Sequence, residues 1–184
     1  NCVVIGLGLI GQLTVQMLQA VGVKAMGVDV EEQMVRLAKD SGCDLAVVRT
    51  LPELENLILE NTGGYGCDAV IITAGTDSVD PVDLAGKISR KKGKVVVVGA
   101  VPTGFKREQY FKKELDLRMS SSYGPGRYDP EYEEQGIDYP YAYVRWTENR
   151  NMQAFAELLR TKKVKPEKLL THIFPFRDAK AAYN

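Results

Sequence analysis

Gly6, Gly8 and Gly11 form a Gly-x-Gly-x-x-Gly spacing directly after the apolar run Cys2-Val3-Val4-Ile5. At a strand-to-helix turn each missing side chain has its own use. The first glycine permits the tight turn, the second lets a pyrophosphate reach the backbone, and the third brings helix close to strand. With Leu9 and Ile10 between them, these residues would offer phosphate oxygens the free N–H groups and positive dipole end of a helix N-terminus. Such a turn is commonly answered by an acid about 20 residues on that accepts hydrogen bonds from ribose hydroxyls. Asp29, 18 residues after Gly11 and followed by Val30, stands in that place. Its charge would repel a 2′-phosphate, so the pattern favours NAD over NADP. Asp29 has a second reading, as a surface aspartate capping a helix that begins near Glu31.

The elements that must hold these residues follow from periodicity. Short β-branched runs alternate with amphipathic segments at the spacing of βα units, which predicts a parallel sheet with helices on both faces. Strands are expected at Cys2–Gly6, Lys24–Val30, Leu45–Val48, Cys67–Ile72, Lys94–Gly99 and Leu115–Ser121. Helices are expected over Leu9–Val21 and Glu31–Ser41, between Pro52 and Gly63, over Pro81–Lys91, and near Arg107–Lys113. Six strands in this rhythm make an α/β, doubly wound, six-stranded parallel sheet, the NAD(P)-binding Rossmann fold. In such a sheet the ligand lies across the carboxyl ends of the strands. That rule nominates Ala74, Gly75 and Thr76 after the fourth strand and Val98, Gly99 and Ala100 after the fifth, the second group bordering the nicotinamide.

The stretch from Ser122 to Trp146 breaks the rhythm with Tyr123, Tyr128, Tyr132, Tyr139, Tyr141 and Tyr143. It reads as a loop or insertion, either self-packed or facing a substrate or neighbouring domain. Beyond it, Thr147 is a plausible N-cap for a helix to about Lys162, with Met152, Phe155, Leu158 and Leu159 on one face. A strand over Leu169–Phe174 and a helix starting at Arg177 are expected next. The pattern stops in mid-course near Asn184, as in a segment of a larger polypeptide.

Composition narrows the function classes. The 184 residues suit one domain, and 24 basic residues balance 24 acidic ones, so no broad attraction to nucleic acid is expected. No apolar run approaches the roughly 18 residues of a membrane span, and a soluble, cytoplasmic chain is expected. Cys2, Cys43 and Cys67 have neither disulfide nor zinc-site spacing and read as reduced packing residues. His172, the single histidine, reads as structural, and no nucleophilic triad can be assembled.

Taken together, Val4-Ile5-Gly6-Leu7-Gly8-Leu9-Ile10-Gly11-Gln12, Gly27-Val28-Asp29, Lys92-Gly93-Lys94-Val95-Val96-Val97-Val98-Gly99 and Lys113-Glu114-Leu115 resemble the cofactor domain of medium-chain, zinc-type alcohol dehydrogenases. The ending from Leu169 to Tyr183 looks like that family's return strand and following helix. The resemblance implies hydride transfer between an alcohol or carbonyl substrate and NAD(P). It implies a catalytic zinc only in a separate GroES-like domain that these residues lack, so this segment alone would bind cofactor without turnover. It also implies a homodimer joined through the sheet edge near Leu115–Ser121. Met34 stands where the family often carries an arginine beside the adenine, and the tyrosine-rich stretch departs from its usual length.

Two other classes share parts of this pattern. A regulatory nucleotide-sensing module also uses the glycine turn and strand-end acid, but would usually finish near the sixth strand. An S-adenosylmethionine-dependent methyltransferase shares the first βα unit, but needs an antiparallel hairpin strand near its end.

Overall fold

The structure, a computed structural model, describes residues 1–183. Six parallel strands lie in the order β3-β2-β1-β4-β5-β6: β1 (Cys2–Ile5), β2 (Ala25–Asp29), β3 (Leu45–Val48), β4 (Cys67–Ile72), β5 (Ser89–Val97) and β6 (Asp116–Met119). The order reverses between β1 and β4, and that is where a doubly wound sheet opens a crevice at its carboxyl edge.

Helices cover both faces, because alternate strand residues are apolar on both sides. Val4 and Ala25 pack with Leu7, Val15, Val35 and Ala38, under α1 (Leu9–Ala20) and α2 (Glu32–Asp40). Val3, Ile5, Met26 and Val28 pack on the other face with α3 (Leu54–Asn61), α4 (Asp80–Ile88) and α5 (Arg107–Lys113). Val3, Val70, Ile72 and Val95 are fully buried, and each such side chain contributes about 1.5–3 kcal/mol relative to exposure.

The expected strand over 94–99 is longer and earlier than the sequence implies. The α4 helix stops at Ile88 rather than Lys91, and β5 begins at Ser89. Pairing jumps from Cys67 opposite Ser89 to Ala69 opposite Lys94, so residues 90–93 form an irregular excursion. Gly93 is required there, since a Cβ would sit 2.9 Å from the Arg90 carbonyl oxygen.

The tyrosine-rich stretch forms one short helix, α6 (Pro130–Glu133), capped by Asp129, and leaves Tyr123, Tyr128, Tyr141 and Tyr143 exposed. Tyr132 stacks on Tyr139 at 5.4 Å, and its hydroxyl donates to Thr147 Oγ1 at 2.8 Å. Thr147 is fully buried and caps α7 (Glu148–Arg160), as the sequence suggests, although Met152 on the expected apolar face is exposed.

The expected strand over 169–174 does not form. A short 3₁₀ turn covers Pro166–Leu169, residues 170–175 have no regular structure, and a second 3₁₀ segment covers Phe176–Tyr183 in place of an α-helix. The cause lies in where the segment is anchored. Val164 is buried, the Lys165 N–H donates to Gln16 Oε1 at 2.7 Å, and Lys168 Nζ donates to the Asp40 carbonyl. These contacts hold the start of the segment against α1 and α2, and no strand among the described residues pairs with it. An apolar run without an edge to pair with cannot satisfy its backbone as a strand, and Leu170, Ile173 and Phe176 are exposed.

Candidate cofactor-binding cleft

The glycine turn is built by β1 running into α1. Gly6 adopts φ +95°, a conformation natural to glycine, and a Cβ there would meet the Ala74 backbone nitrogen at 2.5 Å. Gly11 sits beneath it, where a Cβ would lie 1.9 Å from the Gly6 carbonyl oxygen. Gly8 is different: a Cβ would have no neighbour within 4 Å. The two outer glycines therefore serve packing, while the middle one fronts open space at the N-cap of α1.

That helix end suits an anion. Its first N–H groups have no intrahelical partners, Gly8 supplies no capping side chain, and the first turn carries no acid. Leu9 and Ile10, on that turn, are exposed. Leu7 points inward and packs over Gly27, where a Cβ would meet Leu7 Cδ2 at 2.8 Å. Gln12, also buried, donates from Nε2 to the Leu7 and Met34 carbonyls at 3.0 and 2.9 Å, tying the turn to α2.

Asp29 ends β2 beside this turn. One carboxylate oxygen accepts from the Leu7 N–H and the other from the Glu31 N–H at 2.8 Å. The N-cap of α2 is Glu31, not Asp29, which instead holds the approach to that helix. A carboxylate has about four acceptor positions, so two remain for a ligand.

Gly6, Gly8, Asp29, Val30, Ala74, Gly75 and Thr76 line one cleft of about 420 Å³ at the carboxyl ends of the strands. Leu9, Ile10 and Gly11 lie on the adjoining first turn of α1 or beneath it. Val98, Gly99 and Ala100 adjoin the cleft without lining it. Thr76 donates to the Ala100 carbonyl at 2.9 Å, and Gly99 packs where a Cβ would sit 2.1 Å from the Ala74 carbonyl oxygen.

Sequence reasoning missed Arg49, Thr73, Ser78, Asp80 and Pro81, which with the strand residues Ile5 and Val28 complete the lining. Thr73 Oγ1 donates to the Gly6 carbonyl at 2.5 Å and helps fix the turn. Arg49 pairs with Asp80 at two points, which raises the arginine pKa above its ordinary value. The rule that nominated residues after β4 and β5 applies equally after β3, and would have found Arg49.

The donor set does not fit a catalytic zinc. Among the described residues no three His, Cys, Asp or Glu side chains converge. Cys2, Cys43 and Cys67 are buried, and burial pushes their thiols up to about 11, 11 and 12, which disfavours the thiolate that zinc requires. His172 is exposed beside Phe174.

All six strands run parallel, and among the described residues there is no antiparallel hairpin of the methyltransferase kind. Residues 10–137, more than half of the chain, match the zinc-binding dehydrogenase family. The chain belongs to that family. Among curated members, a sorbitol dehydrogenase of Halalkalibacterium halodurans is 28% identical over 187 residues, covering 99% of this chain and 47% of its own length. An alcohol dehydrogenase of Geobacillus stearothermophilus is 32% identical over 97 residues, covering 53% of this chain and 28% of its own. The chain therefore spans about half the length, or less, of these relatives. The fold is shared with a protein of E. coli CFT073 described as a short chain alcohol dehydrogenase complexed with NADH, at TM-score 0.72 and 24% identity, over 100% of this chain and 47% of that one. No helix among the described residues is long and apolar enough to cross a membrane.

Proposed function

We propose that this chain is the NAD(H)-binding domain of a zinc-type dehydrogenase that oxidises alcohols or reduces carbonyl compounds. The observation that carries the reading is the division of labour among the glycines. Gly6 and Gly11 are closed against protein atoms, whereas Gly8 is open at an uncapped helix N-terminus. In this reading the pyrophosphate rests on the N–H groups of Gly8 to Gly11, flanked by Leu9 and Ile10. The two spare acceptor positions of Asp29 take the adenosine ribose hydroxyls, with Val30 beside them. Ala74, Gly75, Thr76, Val98, Gly99 and Ala100 form the wall toward the nicotinamide. The bound coenzyme supplies the hydride acceptor or donor, and the chain's own residues bind it, orient it and keep its charge compensated.

The parent protein's alcohol or carbonyl substrate and any zinc would belong to residues outside this chain. A homodimer would use β6, an edge strand whose outer side has no partner among the described residues. Three free, buried cysteines accord with a reducing cytoplasm. Calorimetric titration with NADH, NADPH and S-adenosylmethionine, beside an Asp29→Ala variant, tests the reading. Preferential NADH binding that weakens at least tenfold in the variant is expected. Binding of S-adenosylmethionine alone would refute it.

A further inference from the structure

The cleft holds three charged side chains: Asp29, Arg49 and Asp80. Arg49 immediately follows β3, and its backbone N–H donates to the Asp29 carbonyl oxygen at 2.7 Å, so the two residues leave neighbouring points of the cleft floor. Asp80 opens α4 from the opposite side. Arg49 Nε donates to Asp80 Oδ2 at 2.7 Å and Nη2 to Oδ1 at 2.6 Å. This two-point geometry fixes the guanidinium plane. Both side chains keep access to solvent, at 29% and 45% exposure, so a ligand in the cleft can reach them.

An arginine beside the ribose-binding acid is the feature that accommodates a 2′-phosphate, because its planar fork matches phosphate oxygens. Here that fork is occupied. We propose that Asp80 is a specificity-determining residue: by engaging Arg49 it withholds the one cation among the described cleft-lining residues from a 2′-phosphate, and so keeps the site selective for NAD(H). This rests on the dinucleotide reading above. A phosphate with nearly two negative charges would face Asp29 and Asp80 against a single cation already paired. Removing the Asp80 charge leaves Asp29 and Arg49 balanced and frees at least one N–H donor of the fork. The 2′-hydroxyl of NAD(H), being neutral, gains little from the same change.

The test compares dissociation constants for NADH, NADPH, 2′-AMP and 5′-AMP in the parent chain and in Asp80→Asn, with thermal melting as the check on folding. NADPH is expected to tighten about tenfold, the scale of one unit charge acting through partly solvated protein. NADH should stay within about twofold, and 2′-AMP should gain over 5′-AMP. The gain should vanish in the double variant Arg49→Met with Asp80→Asn. An unchanged NADPH-to-NADH ratio in folded Asp80→Asn, or a gain that survives the double variant, overturns the assignment. If Asp80→Asn does not fold, Asp80→Ser, which also removes the charge, carries the same expectation for the NADPH-to-NADH ratio. A constant ratio there is equally fatal. If the parent chain binds NADH and the ratio does not move, only the role of Asp80 falls. If it binds neither coenzyme, the dinucleotide reading falls and this inference with it.

Discussion

Gly8→Ala separates folding from binding more cleanly than any other single change at the turn. The new Cβ meets no protein atom within 4 Å, and the backbone at φ −63° and ψ −168° is open to alanine. Alanine narrows the unfolded ensemble, worth about 0.4–1 kcal/mol. As a poorer N-cap than glycine it costs a similar amount. The melting temperature should therefore stay within about 2 °C of the parent, at roughly 2–4 °C per kcal/mol for a chain of this size. The methyl group, however, fills the space into which a pyrophosphate would come to reach the helix N–H groups. Losing one charge-assisted hydrogen bond of about 1.5–3 kcal/mol predicts NADH binding weakened about tenfold to 150-fold. Gly11→Ala is the contrast. Its Cβ would lie 1.9 Å from the Gly6 carbonyl oxygen and 3.0 Å from Thr73 Oγ1, atoms held by backbone and hydrogen bond. Overpacking of this kind costs about 1–3 kcal/mol, a fall of roughly 2–12 °C. Differential scanning calorimetry and isothermal titration read the two quantities separately. Parent-like NADH affinity in Gly8→Ala, with the melting temperature unchanged, would refute a phosphate at this turn.

Two further predictions concern the scaffold. Lys113 Nζ donates to the carbonyls of Gly86, Lys87 and Ser89 at 2.9, 2.5 and 2.8 Å, closing the C-terminal end of α4 away from the cleft. Lys113→Met should lower stability by about 1–3 kcal/mol in chemical denaturation while leaving NADH affinity unchanged; a parallel loss of affinity would contradict the placement of the site. The buried thiols predict alkaline sensitivity, since burial raises Cys2, Cys43 and Cys67 from about 9 to about 11, 11 and 12. Their contribution is complete below pH 9, where folded and unfolded thiols are both protonated. Above pH 9 only the unfolded chain releases protons, so stability should fall by up to about 1.4 kcal/mol per thiol per pH unit, levelling off as pH passes the folded values. Denaturant midpoints between pH 8 and 11 check the slope, and a flat profile would mean the thiols are not protected.

Local signals carried the sequence reading far. The glycine spacing, the β-branched runs at Val3–Ile5 and Val95–Val97, and the Thr147 cap each act over a few residues, and each appears where expected. Pairing across distance carried no such signal. Nothing near Arg49 announces a partner 31 residues later, and nothing near Gln12 announces that its amide will bridge to Met34. The segment over 169–174 shows the converse. Its residue types are strand-like, yet a strand exists only where another strand offers its backbone, and the anchors at Val164 and Lys165 place the start of this one against helices. The early start of β5 was hidden because Arg90, Lys91 and Lys92 look like a solvated helix end while the backbone pairs with β4 at Ser89.

Asp29 joins the two levels, because its structural bonds leave other lone pairs of the same carboxylate for the proposed ribose contacts. Its bond from Leu7 holds the glycine turn against β2, and its bond from Glu31 sets the entry to α2. Both walls of the adenosine end are thus positioned by the same group that would meet the ribose. An asparagine there keeps one acceptor oxygen and turns an NH2 toward either Leu7 or Glu31, so one backbone donor must face another donor. The turn would loosen before any hydroxyl is lost, and the charge that opposes a 2′-phosphate would vanish as well. A residue under these three constraints has little freedom to be anything but aspartate or glutamate, and the shorter chain is the one that reaches Leu7 and Glu31 together.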